Sequence, residues 1–454
     1  MKRLAIWGLC VAAGLWGSAV SSGGFESLAV DGRAGLERAA SFRAEFSASP
    51  APQSLKQRID RLVEGRYAHV RPIYEDFHRF PELSKEEKRT SSRMAAELVA
   101  LNFAVTERVG GYGVVSVLKN GEGPTVLVRA DMDALPIQEE TKLPYQSQVP
   151  GVMHACGHDV HMSVQLGAAY VLSQLQDSWQ GTLVMVSQPA EESGIGAMEM
   201  IRDGLFVRFP KPDFALAMHV SSLLAGQLGY RPGYAYSAMD NFNITLVGRG
   251  GHGARPDLTI DPFMMMAELI HKLQAIRGRE IDPQQPAVIS LGRVQGGNKH
   301  NIIPDSVRLE GTIRSYDDKV RDYLKERVKE AVEGVAAINR APSPQIEFIQ
   351  GTPSVYNDPA LALRLAPVFQ EALGPSHVSE VPPVMQSEDF TYYGREGNMP
   401  ALIFWIGAQP HLNAPVPPAH SSRFAPDFKP TWSAGVKAMS AAVISLMPRT
   451  ARGS

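Results

Sequence analysis

The stretch Thr125-Val126-Leu127-Val128-Arg129-Ala130-Asp131-Met132-Asp133 is a strand-like run that stops on two carboxylates. Runs of the same kind occupy Val114 to Leu118, Thr182 to Ser187 and Phe214 to Met218, and Met162 to Leu175 between them has helical spacing. Strands that alternate with helices imply an α/β fold with an open, mostly parallel sheet covered on both faces. Residues capable of chemistry stand where these runs end: Asp131 and Asp133, then Glu191 and Glu192, then His219. Ligands of open α/β sheets bind outside the carboxyl ends of the strands. Placement and residue type therefore agree.

Working outward, Leu55, Ile59, Leu62 and Val63 repeat at helical spacing from Ser54, and Ser84 with Glu87 reads as a capping box for a helix reaching about Leu101. Around Ala238 the pattern changes. Phe242 to Val247, Ala287 to Val294, Ser306 to Ile313 and Gln345 to Ile349 read as strands, and Pro262 to Ile276 and Asp317 to Ile338 as helices. Residues 238–351 are thus expected to form an inserted α+β domain, a lid with helices on one face of an antiparallel sheet. The first domain comprises 54–237 and resumes over 352–454, with a strand at Ala401 to Ile406 and a closing helix from Thr431 to Leu446. A chain of 454 residues is long enough for two such domains.

The first 24 residues have a basic start (Lys2, Arg3), an apolar centre from Leu4 to Val20 and a small-residue exit, the order of a secretory signal peptide. The alternative, a single membrane anchor, is at the short limit for spanning. Residues 25–53 read as a flexible tether, and the expected location is secreted or periplasmic, with no stable membrane insertion once the leader is removed. A net charge of −2 supplies no electrostatic reason for a nucleic-acid partner. Removal of the leader takes Cys10 with it and leaves Cys156 as the one thiol, which metal coordination would protect from oxidation.

That thiol stands in His154-Ala155-Cys156-Gly157-His158-Asp159-Val160-His161, three imidazoles and a thiol within eight residues. Thiolate and imidazole are ligands that zinc and its neighbours prefer, and Cys156 with His158 reads as a metal pair. His154 and His161 read as supporting or capping residues. Glu191-Glu192 follows a buried strand and Gln188-Pro189, so one carboxylate can bind metal while the other faces a water. The doublets Glu86-Glu87 and Glu139-Glu140 read instead as surface or capping residues. Asp133 suits the orientation of a metal-bound imidazole. Gly250-Gly251-His252-Gly253 is a turn that can approach a ligand closely.

Together these stretches resemble the hippurate hydrolase and indoleacetyl-amino-acid amidohydrolase family, within the dinuclear metallopeptidases related to aminoacylase and glutamate carboxypeptidase. The matching segments run from His78-Arg79-Phe80-Pro81-Glu82 through Arg129 to Pro136, the Cys156 cluster, Gln188 to Glu192, Gly250 to Ala254, Asn301 to Asp305, Gly311 to Arg314 and Glu388-Asp389-Phe390 to His420. The resemblance implies that Cys156, His158, Glu192, His219 and His420 hold two divalent metal ions, zinc first and manganese second. It implies Glu191 as general base, and His252 and Asn301 reaching the active site of the partner subunit in a homodimer formed through the lid. Arg314 is implied as the holder of a substrate carboxylate. The expected reaction cleaves N-acyl amino acids or dipeptide-like amides to a carboxylic acid and an amino acid. In it a metal-bridged hydroxide attacks, Glu191 carries the proton and His252 donates to the oxyanion.

Three positions depart from the family pattern. Gln386 stands where a small residue is usual, Ser222 where Pro is common, and Ala419 where Leu is typical, after a Pro-rich approach at Pro415, Pro417 and Pro418. Two other readings compete. A thiol amidase with Cys156 as nucleophile leaves Glu192, His219 and His420 without a task. A non-catalytic secreted binding protein has no need of Glu191.

Overall fold

The computed structural model describes residues 53–349, 351–410 and 417–449. The leader expected over 1–24, the tether over 25–53 (Gln53 apart) and Pro415 lie outside these residues. No helix among the described residues is long and apolar enough to cross a membrane.

Eight strands form the main sheet. In order across it they are Ala104–Val109, Gly113–Asn120, Gly181–Gln188, Thr125–Asp131, Phe214–Leu224, Ala401–Gln409, Leu228–Tyr230 and Val378–Glu380. The pairs from Gly181–Gln188 to Ala401–Gln409 run parallel, and antiparallel strands flank this centre. Parallel central strands carry apolar residues on both faces because helices cover both. Val126, Val128, Leu183, Met185, Leu216, Met218, Leu402, Phe404 and Ile406 point into one core with the helices Leu55–Arg79, His158–Gln174, Pro359–Leu373 and Phe428–Leu446. Their neighbours Leu127, Val184, Val186, Ala215, Ala217, Ile403 and Trp405 point into a second core on the opposite face. This period of two is what an extended backbone imposes. Each large side chain so buried contributes roughly 1.5–3 kcal/mol.

The helix Leu55–Arg79 begins at Ser54, whose hydroxyl accepts from the Gln57 N–H while the Gln57 side chain accepts from the Ser54 N–H. The capping box expected at Ser84 and Glu87 does not form. Glu87 is the N-cap of Lys88–Ala100 but makes no capping hydrogen bond, and its buried carboxylate accepts from the N–H groups of Lys85 and Ala190. Ser84 donates instead to Asp133, 2.6 Å away. Local capping signals here lose to partners about 50 to 100 residues distant that themselves require satisfaction. In the doublet Glu139-Glu140 the second residue is exposed as expected, but the first is not. Glu139 is buried and pairs at 3.2 Å with His78, whose other ring nitrogen lies 2.7 Å from Asp159.

The insert has an antiparallel sheet in the order Ala287–Gly296, Ser306–Ser315, Ala238–Val247, Gln345–Ile349. Phe242, Ile244 and Leu246 alternate inward and form a third core with residues of the helices Pro262–Arg279 and Asp318–Ile338. The sheet is tied to its neighbours where the chain enters and leaves it. Arg321 pairs bidentately with the buried Asp240 at 2.5 and 2.7 Å, and the Gly351 N–H also donates to Asp240. At the outer end Gly251–His252 pairs with Ile302–Ile303.

Candidate metal centre and active site

The loop before helix His158–Gln174 delivers Cys156 and His158 to the carboxyl end of the sheet. Gly157 between them has φ 88°, and a Cβ there would come within 2.5 Å of Val220 Cγ2, so only glycine permits the turn. His219 lies inside Phe214–Leu224 rather than after it, because the strand continues past the point where its apolar run ends. Its Nε2 is 3.5 Å from Cys156 Sγ. His420 and Ala190, which precedes the acidic doublet, both adopt positive φ, 68° and 54°. Non-glycine residues hold such a backbone only where surroundings compensate. The His420 N–H donates to the Ala155 carbonyl at 2.8 Å, which fixes that turn against the Cys156 loop.

The ring nitrogens sort the histidines. His158 Nδ1 faces the Asp133 carbonyl at 2.8 Å and His219 Nδ1 the Val220 carbonyl at 2.7 Å, so in the neutral imidazole the proton sits on Nδ1 and Nε2 is the nitrogen each can offer to a cation. His161 is spent on both sides. Its Nδ1 is 2.6 Å from Asp131 Oδ1, and its Nε2 accepts the Val220 N–H at 3.0 Å. It is a supporting residue, and burial holds its pKa down to about 4 despite Asp131. His154 is also buried, and neither of its nitrogens finds a hydrogen-bond partner.

Ligand atoms of Cys156, His158 and His219 converge within 4.8 Å of one another, as do those of Cys156, Glu192 and His420 and of His158, Glu191 and Glu192. The five residues expected as ligands are therefore brought together from four separate segments. The donor set suits divalent transition metals. The unsatisfied polar atoms agree with it, since His158 Nε2 and Glu192 Oε1 are buried and find no hydrogen-bond partner among the described residues. A buried polar atom left unpaired costs about 1–3 kcal/mol, and a cation between these atoms removes that cost.

Asp133 organises the centre. Its carboxylate accepts the N–H groups of Glu191 and Glu192 at 3.1 and 3.0 Å and the Ser84 hydroxyl, while its carbonyl orients His158. The two glutamates then part company. Glu192 Oε1 is 3.4 Å from His420 Nε2, whereas Glu191 faces Glu388 and Asp389. Burial, then Glu388, Glu192 and Asp389, raise the Glu191 carboxyl well above its ordinary range. Burial and Glu388 likewise push Asp389 up to about 7 against the pull of Arg129.

Sequence reasoning gave Arg129, Glu388 and Asp389 no task. The fully buried Arg129 guanidinium binds Asp131 at 2.6 Å, Glu388 at 2.9 Å, Asp389 at 3.1 Å and Gln188 through its Nε. An arginine inside an otherwise apolar strand was the available signal, since such a charge must find partners.

The remaining expected residues stand apart from the cluster. His252 is exposed, with Nδ1 accepting the Ala254 N–H, and Asn301 is exposed beside it, its carbonyl accepting the Gly253 N–H. Among the described residues no hydrogen bond or ion pair joins either to the converging donor side chains. Arg314 is half-buried and donates to the Met385 carbonyl at 2.8 Å and to Met239 Sδ. Gln386 accepts the Ser237 N–H through its carbonyl.

Known proteins with this architecture give it a family. The IAA-amino acid hydrolase ILR1-like 5 of Arabidopsis thaliana is 36% identical over 352 residues, 76% of this chain and 80% of that protein. The N-acetyl-L-cysteine deacetylase of Bacillus subtilis is 36% identical over 323 residues, 71% of this chain and 76% of that one. Among solved structures, the YXEP protein of Bacillus subtilis, described as a dinuclear metal binding peptidase, superposes with a TM-score of 0.70. It is 28% identical, and the match covers 84% of this chain and 99% of that one. The profile of Peptidase family M20/M25/M40 matches residues 127–444, from the central strand to the closing helix, and this chain is a hydrolase of that family.

Proposed function

We propose that the chain hydrolyses N-acyl amino acids or dipeptide-like amides to a carboxylic acid and an amino acid, with two divalent ions held by Cys156, His158, Glu192, His219 and His420. The observation that carries this reading is the convergence of those donors beside a separate carboxylate, Glu191, of raised proton affinity. The names of the plant hydrolase and the bacterial deacetylase, both of which describe N-acylated amino acids, support the substrate class. Zinc is the first candidate for this donor set and manganese the second.

Such ions, when bound, polarise a carbonyl and acidify a water. The protein's own part is placement and proton transfer. Asp133 holds the backbone of the acidic doublet and the ring of His158. Glu191 takes the proton of the attacking water and returns it to the leaving amine, a task suited to a carboxyl whose proton affinity is raised by burial and by Glu388. Arg314 binds the substrate carboxylate, since among the described residues no acidic side chain neutralises its guanidinium. His252 and Asn301 serve the neighbouring subunit of a homodimer formed through the lid. Export by the N-terminal leader belongs to the same reading.

Two tests follow. Chelation is expected to abolish turnover and added zinc or manganese to restore it, with metal counted by elemental analysis. An active preparation free of metal would instead favour Cys156 as nucleophile. Replacing the substrate's carboxylate by a carboxamide is expected to lower kcat/KM by about 10- to 100-fold, the worth of one charge-assisted contact. Equal rates for acid and amide would remove Arg314 from its role.

A further inference from the structure

Tyr236 lies on the short strand Gly233–Tyr236 that leads into the insert. Both sides of this strand are occupied, since Tyr236 pairs with Val355 on one side and bridges to Val384 on the other. The following residue is held as well, its N–H donating to the Gln386 carbonyl and its hydroxyl to that of Met385. The ring is 3% exposed, stacked on Trp405 at 5.3 Å between centroids, and its centroid is 6.3 Å from that of His219. Every part of the side chain is thus fixed and satisfied except its end. The hydroxyl is buried, and among the described residues its proton has no hydrogen-bond acceptor.

Stacking on Trp405 requires the ring and not the hydroxyl, so phenylalanine would meet the packing need without stranding a polar atom. Burial keeps the phenol protonated, Glu388, Cys156 and Glu191 are the charged groups acting on it, and the nearby Trp405 indole is a donor only, so it offers the O–H no acceptor. An O–H donor without an acceptor therefore lies within electrostatic reach of Glu388, Cys156 and Glu191, on a ring whose centroid is 6.3 Å from that of His219. The substrate's reacting carbonyl, on the reading proposed above, must occupy that neighbourhood.

We propose that the Tyr236 hydroxyl is a catalytic residue, donating a hydrogen bond to the scissile carbonyl oxygen as negative charge develops on it. The contribution comes from the same chain as the metal ligands. It is distinct from that of His252, which on the present reading must arrive from a second subunit. A preorganised donor of this kind acts mainly on the transition state, so its loss should appear in kcat and little in KM.

The test is Tyr236→Phe in the metal-loaded enzyme. Metal content should equal that of wild type, and the melting temperature should hold or rise because an unpaired polar atom has been removed. Turnover of an N-acyl amino acid should fall about 10- to 100-fold with KM within about threefold. Affinity for inorganic phosphate, a tetrahedral oxyanion, should weaken at least about fivefold by calorimetry. Unchanged kcat together with unchanged phosphate affinity would overturn the proposal, and so would loss of metal, which would make the hydroxyl a support for Cys156. If the wild-type enzyme turned over no N-acyl amino acid, the substrate reading would fall, and the phosphate comparison alone would decide the hydroxyl.

Discussion

Glu191→Gln is expected to retain both metal ions and to lower kcat by about 10²- to 10⁴-fold, the usual contribution of a positioned general base. The adjacent Glu192→Gln is expected to lose metal first and activity as a consequence. The two carboxylates are neighbours on one turn, and their backbone N–H groups are gripped by the two oxygens of Asp133. Both carboxylates stay 3.9 Å from His158 Nε2, but their other neighbours differ. Glu192 turns toward Cys156 and His420, where its Oε1 has no hydrogen-bond partner. Glu191 turns toward Glu388 and Asp389, where a negative charge is disfavoured and a proton is welcome. An amide at 191 keeps size and polarity but cannot accept the proton. Elemental analysis of each purified variant beside its kcat separates the roles, and a metal-free Glu191→Gln with a metal-replete Glu192→Gln would reverse the assignment.

How far this arrangement could be read before the structure depended on how local its causes are. Val126 to Val128 of Thr125–Asp131 and Ala401 to Ile406 of Ala401–Gln409 announce themselves as apolar runs, because strands covered on both faces bury successive residues. The ligand cluster was legible for a similar reason, since Cys156 and His158 lie two positions apart. The helix Pro359–Leu373 was passed over although Asp358 caps it and Pro359 occupies its first turn, a signature that was there to be used. Other features have no local signature. Ser84 and Glu87 fit a capping box by spacing, yet their hydrogen bonds go to Asp133 and Ala190. The pairing of Arg129 with Glu388 spans 259 positions, and only the folded sheet brings those ends together. Tyr236 looks like one more residue of an apolar strand until its hydroxyl is found without a partner. Residues that bind directly carried recognisable chemistry, whereas residues that hold them in place did not.

Mixing subunits should restore activity to two dead variants. His252→Ala and Glu191→Gln, each expected to be nearly inactive alone, should recover about one quarter of the wild-type rate when dissociated and re-associated in equal amounts. Half of the dimers are then mixed, and in each of these one site combines an intact Glu191 with an intact His252 from across the interface. The motive is the position of His252. It lies at the outer end of the insert on a two-residue strand paired with Ile302–Ile303, and its neighbours Ile302 and Leu258 are 53% and 58% exposed. Exposed apolar side chains around a polar turn are what a surface covered by another subunit would present. A two-fold dimer would cover it with a copy of itself and place each imidazole twice. Full-length wild-type enzyme should accordingly sediment as a dimer, and Ile302→Asp should shift it toward monomer and lower kcat/KM while each chain keeps its metals. If heterodimers form, as shown by differential tagging, and no activity returns, His252 works within its own subunit or takes no part in the reaction.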